Sequence, residues 1–112
     1  MDVEILKEQF NEISPLLLAI GDETRQHIIL KMLELPCECE GGVRVGDITA
    51  KTNLSRPAIS HHLKILKDAG VVGMRKQGIM NFYFLKAEQN ELNNLQSMLV
   101  NLIEMTKIHN KK

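Results

Sequence analysis

Tryptophan is absent from the 112 residues, and one tyrosine and three phenylalanines are the only large aromatics. A surface that stacks unpaired bases needs exposed rings, so a single-strand binder is a poor fit. No apolar run approaches the roughly 18–20 residues that span a bilayer. The first ten residues, MDVEILKEQF, carry acids where a secretory signal carries basic residues ahead of an apolar stretch. The expectation is a cytoplasmic protein with no membrane partner. Cysteine occurs twice, which in a reducing compartment suggests free thiols, a soft-metal site or a redox pair more than a structural staple. There is no phosphate-cradling glycine loop and no nucleophile elbow, and so short a chain leaves little room for a catalytic cleft. An enzyme is not expected, and the length suits one domain over residues 1–112.

Net charge is also missing, with fourteen basic residues against fourteen acidic ones. That balance conceals a segregation. Residues 1–43 hold three Lys/Arg against nine Asp/Glu, residues 44–86 hold eight against two, and residues 87–112 hold three against three. A basic module inside a neutral protein is the asymmetry expected where one face meets phosphate.

Periodicity predicts a mostly α chain with a small β-hairpin. Ile5, Leu6, Phe10 and Ile13 predict a short amphipathic helix over 3–13. Ser14-Pro15 predicts a restart, since serine caps well and proline suits a first turn. LLLAIGDETRQHIILKMLEL follows as two helices meeting at an Asp22 cap, or as one helix weakened at Gly21, and Pro36 ends it. Gly41-Gly42 marks a loop, and Val43-Arg44-Val45 is a candidate short strand. Gly46 to Thr52 reads as a short helix, Asn53-Leu54 as a tight turn, and Ser55 as the cap of a longer helix stopped by Gly70. Residues 71–85 read as two strands turning near Gln77-Gly78. A last helix over about 88–109 sets Leu92, Leu95, Leu99 and Leu102 at alternating three- and four-residue steps, a coiled-coil-like seam.

The segment 46–69 is a helix-turn-helix candidate, with 71–85 behind it as a wing. On the longer helix Ile59, Leu63 and Leu66 form a stripe to be buried, with Ile48 as its expected neighbour. The opposite face carries Arg56, Pro57, Ser60, His61, Lys64 and Lys67, a mixture suited to phosphate contact and base-edge hydrogen bonding in a major groove. Arg75, Lys76 and Gln77 stand at the wing tip. His62 falls beside the buried stripe and is expected to be packed or hydrogen-bonded, which leaves His61 as the base-reading candidate. Each piece alone is an ordinary surface helix or hairpin; their order, spacing and shared charge favour double-stranded DNA. The competing reading is a winged-helix module for protein–protein contact, which would have no need of eight gathered cations.

The stretch from about 16 to 85 resembles the ArsR/SmtB family of transcription regulators. The resemblance is carried by Asp22-Glu23-Thr24-Arg25 with Ile28, by LSRPAISHHLKILKDAGVV at 54–72, and by the wing through Tyr83 and Leu85. It implies a winged helix-turn-helix dimerising through its terminal helices, with two recognition helices on a palindromic operator. It also implies a repressor that an effector releases from DNA. Ile5, Leu6, Phe10, Leu92, Leu95, Leu99 and Leu102 are then the interface candidates, although the leucine seam could also pack on the chain's own core.

The family's metal sites are not matched. Where thiophilic-metal sensors place a Cys-x-Cys pair ahead of an aspartate, this chain has Arg44 and Gly46 ahead of Asp47. Where zinc sensors use paired His and carboxylate ligands on the last helix, it has Glu88, Glu91, Glu104 and a single His109. Cys37-Glu38-Cys39 remains, able to chelate a soft metal ion with Glu38, Glu40 or a second subunit, or to meet a thiol oxidant. An intrachain disulfide is disfavoured, because two extended residues span about 6.6–7.2 Å against a limit of about 6.8 Å. Neighbouring acids also oppose thiolate formation. Two incidental cysteines in a loop are the alternative, and no cofactor is assigned.

Overall fold

The computed structural model describes residues 2–36, 41–86 and 91–111. In chain order they form α1 (Val3–Ile20), α2 (Glu23–Glu34), α3 (Val45–Ala50), α4 (Arg56–Asp68), β1 (Val72–Gln77), β2 (Met80–Leu85) and α5 (Glu91–Asn110).

The expected restart at Ser14-Pro15 does not occur, and α1 runs through Pro15 as one helix capped by Asp2. Leu6, Ile13, Leu16 and Ala19 form a single buried stripe that crosses the proline. An interior proline costs about 3 kcal/mol, whereas burying Ile13 and Leu16 returns roughly 1.5–3 kcal/mol apiece. Asn11, whose carbonyl loses its helical donor to the proline ring, lies on the exposed face with Ser14 and Pro15, where water can reach it. Ser14 Oγ donates to the Phe10 carbonyl at 3.0 Å. At Gly21 the chain does break, and Asp22 caps α2 by accepting from Arg25 N at 2.9 Å.

The core lies where α1, α2, α3, α4 and the hairpin meet. Ile28, Ile48, Ile59, Leu63, Leu66 and Val72 are all fully buried there, so the stripe on α4 does pack with Ile48. Of the candidate strand 43–45 only Val43 pairs, exchanging two backbone hydrogen bonds with Tyr83, and Val45 already belongs to α3. Between α3 and α4 the turn is fixed by Thr52, whose hydroxyl accepts from Leu54 N at 3.3 Å. Ser55 caps α4 by accepting from Ala58 N. At its other end Val71 N reaches Leu66 O and Gly70 N reaches Lys67 O, with Gly70 at φ 86. This paired closure requires a left-handed residue, which glycine supplies without a steric cost.

The hairpin is antiparallel, with Val72 opposite Leu85 and Gln77 opposite Met80. Gly73 faces Phe84, whose ring lies so close over it that a Cβ there would come within 2.5 Å. On α5 only Met98 is fully buried, while Leu95, Leu102 and Met105 pack partly against the core. The leucine seam is therefore divided. Leu95 and Leu102 serve this chain's own core, and Leu92 and Leu99 stay exposed.

Candidate nucleic-acid interface

The polar face of α4 is set by its buried one. With Ile59, Leu63 and Leu66 anchored, residues on the opposite side must project outward. Arg56, Pro57, Ser60, His61, Lys64 and Lys67 are all exposed. Lys64 Nζ pairs with Asp68 at 2.9 Å, but both side chains are open to solvent. Such an i,i+4 pair contributes only about 0.3–0.5 kcal/mol and leaves the ammonium available to a phosphate. Arg56 leans toward α3, where a Cβ at Gly46 would lie 3.2 Å from its Nη1.

The N-terminus of α4 differs from those of its neighbours. α1, α2, α3 and α5 carry Glu4, Glu23, Asp47 and Glu91 in their first turns, matching the positive end of the helix dipole. In α4 the first turn holds no acid and begins with Arg56. A cation at that position opposes the dipole, and an arriving phosphate would relieve the conflict.

At the wing, Lys76 and Gln77 are exposed, whereas Arg75 is only half-exposed. The Arg75 guanidinium stands 4.7 Å above the ring of Phe82, its cross-strand partner, and Nη1 donates to Gln77 Oε1 at 2.9 Å. Cation–π attraction and the Gln77 bond hold Arg75 along the sheet, so it is a less extended contact than spacing alone suggests.

His62 turns inward and meets Arg25, whose Nη1 lies 3.3 Å from His62 Nδ1. Arg25 also donates from Nε to Ala19 O at 2.7 Å and from Nη2 to Leu18 O at 3.1 Å. Partial burial and then the adjacent Arg25 push His62 below the ordinary imidazole range, with Asp22 opposing them. Asp22 itself is lowered, chiefly by the hydrogen bond from Arg25 N. Sequence reasoning used Arg25 only as part of a motif. Its tertiary role had no local signal beyond an arginine one turn after a cap.

The terminal helices pack on each other, and Asn101 Nδ2 donates to Gln9 Oε1 at 2.9 Å. Of the interface candidates, Ile5, Phe10, Leu92 and Leu99 are exposed. Leu6 is buried within this chain, and Leu95 and Leu102 are partly spent on its core. Val3, Val100, Ile103 and Ile108 are exposed apolar residues that the leucine spacing did not pick out. Cys37 and Cys39 lie outside the described residues. Among the described residues no group of three or more His, Cys, Asp or Glu side chains is placed to hold a metal ion, and no helix is long and apolar enough to cross a membrane.

An anchored helix presenting a basic, hydrogen-bonding face, preceded by a short helix and followed by a hairpin, defines a winged helix-turn-helix module. Residues 22–73 match the family model described as "Bacterial regulatory protein, arsR family". An uncharacterized HTH-type transcriptional regulator of Methanocaldococcus jannaschii is 40% identical over 78 residues, covering 70% of this chain and 82% of that protein. The transcriptional repressor SdpR of Bacillus subtilis is 42% identical over 67 residues, covering 60% of this chain and 68% of its own length. A crystal structure of an ArsR family transcriptional regulator shares the fold with a TM-score of 0.67, at 21% identity over 90% of this chain and 93% of that one. The chain belongs to the ArsR family of DNA-binding transcriptional regulators.

Proposed function

We propose that the chain acts as a homodimeric repressor whose two α4 helices read successive major grooves of a palindromic operator. The observation that carries the DNA-reading assignment is the exposed face of Arg56, Ser60, His61, Lys64 and Lys67 opposite a fully buried stripe. Lys76, Gln77 and a repositioned Arg75 would contact the flanking backbone or minor groove. Pro57 stays in the contact set by its place in the first turn.

Surface and shape support the dimer. The chain exposes 7642 Å², against roughly 6,200 Å² for a compact monomer of its mass. Its radius of gyration is 16.9 Å, against about 13 Å for a compact chain of this length. The excess area, on the order of 1,400 Å², exceeds the roughly 800 Å² that each partner gives to a standard interface. Ile5, Phe10, Leu92, Leu99, Val100 and Ile103 supply apolar surface on the helices that would form it.

Release from DNA is proposed to act through Cys37 and Cys39, as a soft-metal or thiol-oxidant response in the cytoplasm. If a Cys37→Ser/Cys39→Ser double variant keeps the wild-type response to cadmium ion and to peroxide, the cysteines are incidental. The DNA reading is tested by selecting duplexes from a random pool and measuring fluorescence anisotropy at two salt concentrations. The expected result is tight, salt-sensitive binding of a dimer to half-sites about one helical turn apart. A monomer without preference over random duplex would overturn it.

A further inference from the structure

Arg25 ties three separate elements together through one side chain. Its backbone belongs to α2, two of its guanidinium nitrogens hold the Leu18 and Ala19 carbonyls at the end of α1, and the third meets His62 on α4. The guanidinium is largely shielded, with 13% of its side chain exposed. Its planar fork has fixed directions, so three acceptors held at once fix the angle between the helices that carry them. One of these helices bears the recognition face, and the other bears half of the proposed dimer surface.

We propose that Arg25 and His62 are positioning residues that set the recognition helix against the end of α1, and thereby govern specific affinity for DNA more than nonspecific affinity. The proposal rests on α4 being the DNA-reading helix. Specific binding requires two recognition helices in register with two half-sites, whereas nonspecific binding rests on phosphate neutralisation and tolerates misorientation. Neither Arg25 nor His62 is on the outward face of α4, so altering them removes no phosphate contact.

The bridge also has a defined protonation state. Arg25 can only donate, so His62 Nδ1 must accept and the ring must be neutral with its proton on Nε2. Protonation would put an N–H at Nδ1 and set two cations face to face. The charged groups acting on His62 are Arg25 and Asp22 from the start of α2 and His61 from its own helix, while α1 presents the Leu18 and Ala19 carbonyls to the same cluster. The sign of the pH effect follows. His62 favours its neutral form in the fold, so the bridge is complete above the ordinary imidazole value of 6.5 and is lost as pH falls through the lowered one.

The test compares wild type, Arg25→Lys, Arg25→Gln and His62→Asn for binding to the selected duplex and to a scrambled duplex of equal composition. Active fractions are fixed by stoichiometric titration and folding by thermal melts. Asparagine keeps an acceptor near the Nδ1 position and cannot titrate. Arg25→Gln is expected to lose about tenfold in affinity for the selected duplex, the size of one charge-assisted hydrogen bond, while scrambled-duplex affinity stays within about twofold. Arg25→Lys, a point charge unable to hold three acceptors, should fall between. In a His61→Gln background, which removes the other imidazole on this helix, selected-duplex affinity should hold above about pH 6.5 and decline below it. Adding His62→Asn should flatten that decline.

Equal losses on both duplexes, or no loss in folded Arg25→Gln, would overturn the positioning role. So would an unchanged pH profile in the His62→Asn protein, and this holds even if Arg25→Gln does not fold. Absence of salt-dependent binding by the wild-type protein would instead overturn the DNA reading on which the proposal stands.

Discussion

α4 and α5 treat their apolar residues in opposite ways. On α4 three of the four large apolar residues are wholly buried, Ile65 is partly buried, and the outward face is polar or charged. α5 is longer but buries Met98 alone, and it leaves Leu99, Val100, Ile103 and Ile108 about half exposed. One helix turns a polar face to solvent, whereas the other leaves apolar side chains there. Charge follows the same division, since the eight-to-two basic excess lies in 44–86 and the nine-to-three acidic excess in 1–43. The acidic 1–43 segment disfavours phosphate, whereas the basic 44–86 module favours it.

The largest expected effect comes from charging the exposed apolar face of α5. Leu99→Glu/Ile103→Glu keeps good helix formers but sets two carboxylates in the proposed interface. Sedimentation should show a monomer, and affinity for a two-half-site duplex should fall by about 10²–10⁴, the factor lost when two linked sites bind independently. A dimer of unchanged affinity would show that α5 is covered by something other than a second copy.

Next in size is the contrast between buried and exposed leucines. Leu63→Ala opens a cavity under the recognition helix and should cost about 2–5 kcal/mol in urea unfolding. Leu99→Ala removes a side chain that is 45% exposed in the single chain. It should lower the melting temperature mainly through dimer dissociation, so its effect should shrink as protein concentration rises. Equal, concentration-independent losses would erase the distinction between the two helices.

How legible each half was in the sequence follows from the same contrast. The α4 module could be read almost residue by residue, because cap, stripe and stop are local signals: Ser55, Ile59/Leu63/Leu66 and Gly70. The terminal helices were read less well. Ser14-Pro15 is a local breaker signal that the burial of Ile13 and Leu16 overrides. The leucine spacing on α5 mixed residues facing the core with residues facing away, since Leu95 and Leu92 differ only in which neighbour they meet. Arg25 could be seen as a motif residue, but a bridge to His62, 37 positions away, has no periodicity to betray it.

Base reading is the next, smaller effect. Ser60→Ala or His61→Ala should relax preference at one base pair per half-site by about 1–3 kcal/mol, with affinity for scrambled duplex little changed. A uniform loss across all sequences would move these residues into the phosphate-contact group with Lys64 and Lys67.

The smallest effects concern single phosphates, and there Lys64 and Asp68 act against each other. Lys64→Ala should lower the slope of log affinity against log salt by about 0.9 per contact, hence about 1.8 per dimer, as should Lys67→Ala and Lys76→Ala. Arg75→Ala should lower it less if the stack on Phe82 persists in the complex. Asp68 holds the Lys64 ammonium from 2.9 Å away, at a gain too small to matter for folding, and would compete with DNA for it. Asp68→Asn should therefore strengthen binding to both selected and scrambled duplex by a few-fold at low salt, with the gain fading as salt rises. A loss of binding in Asp68→Asn would mean that the pair orients Lys64 toward the phosphate, which would make Asp68 part of the interface.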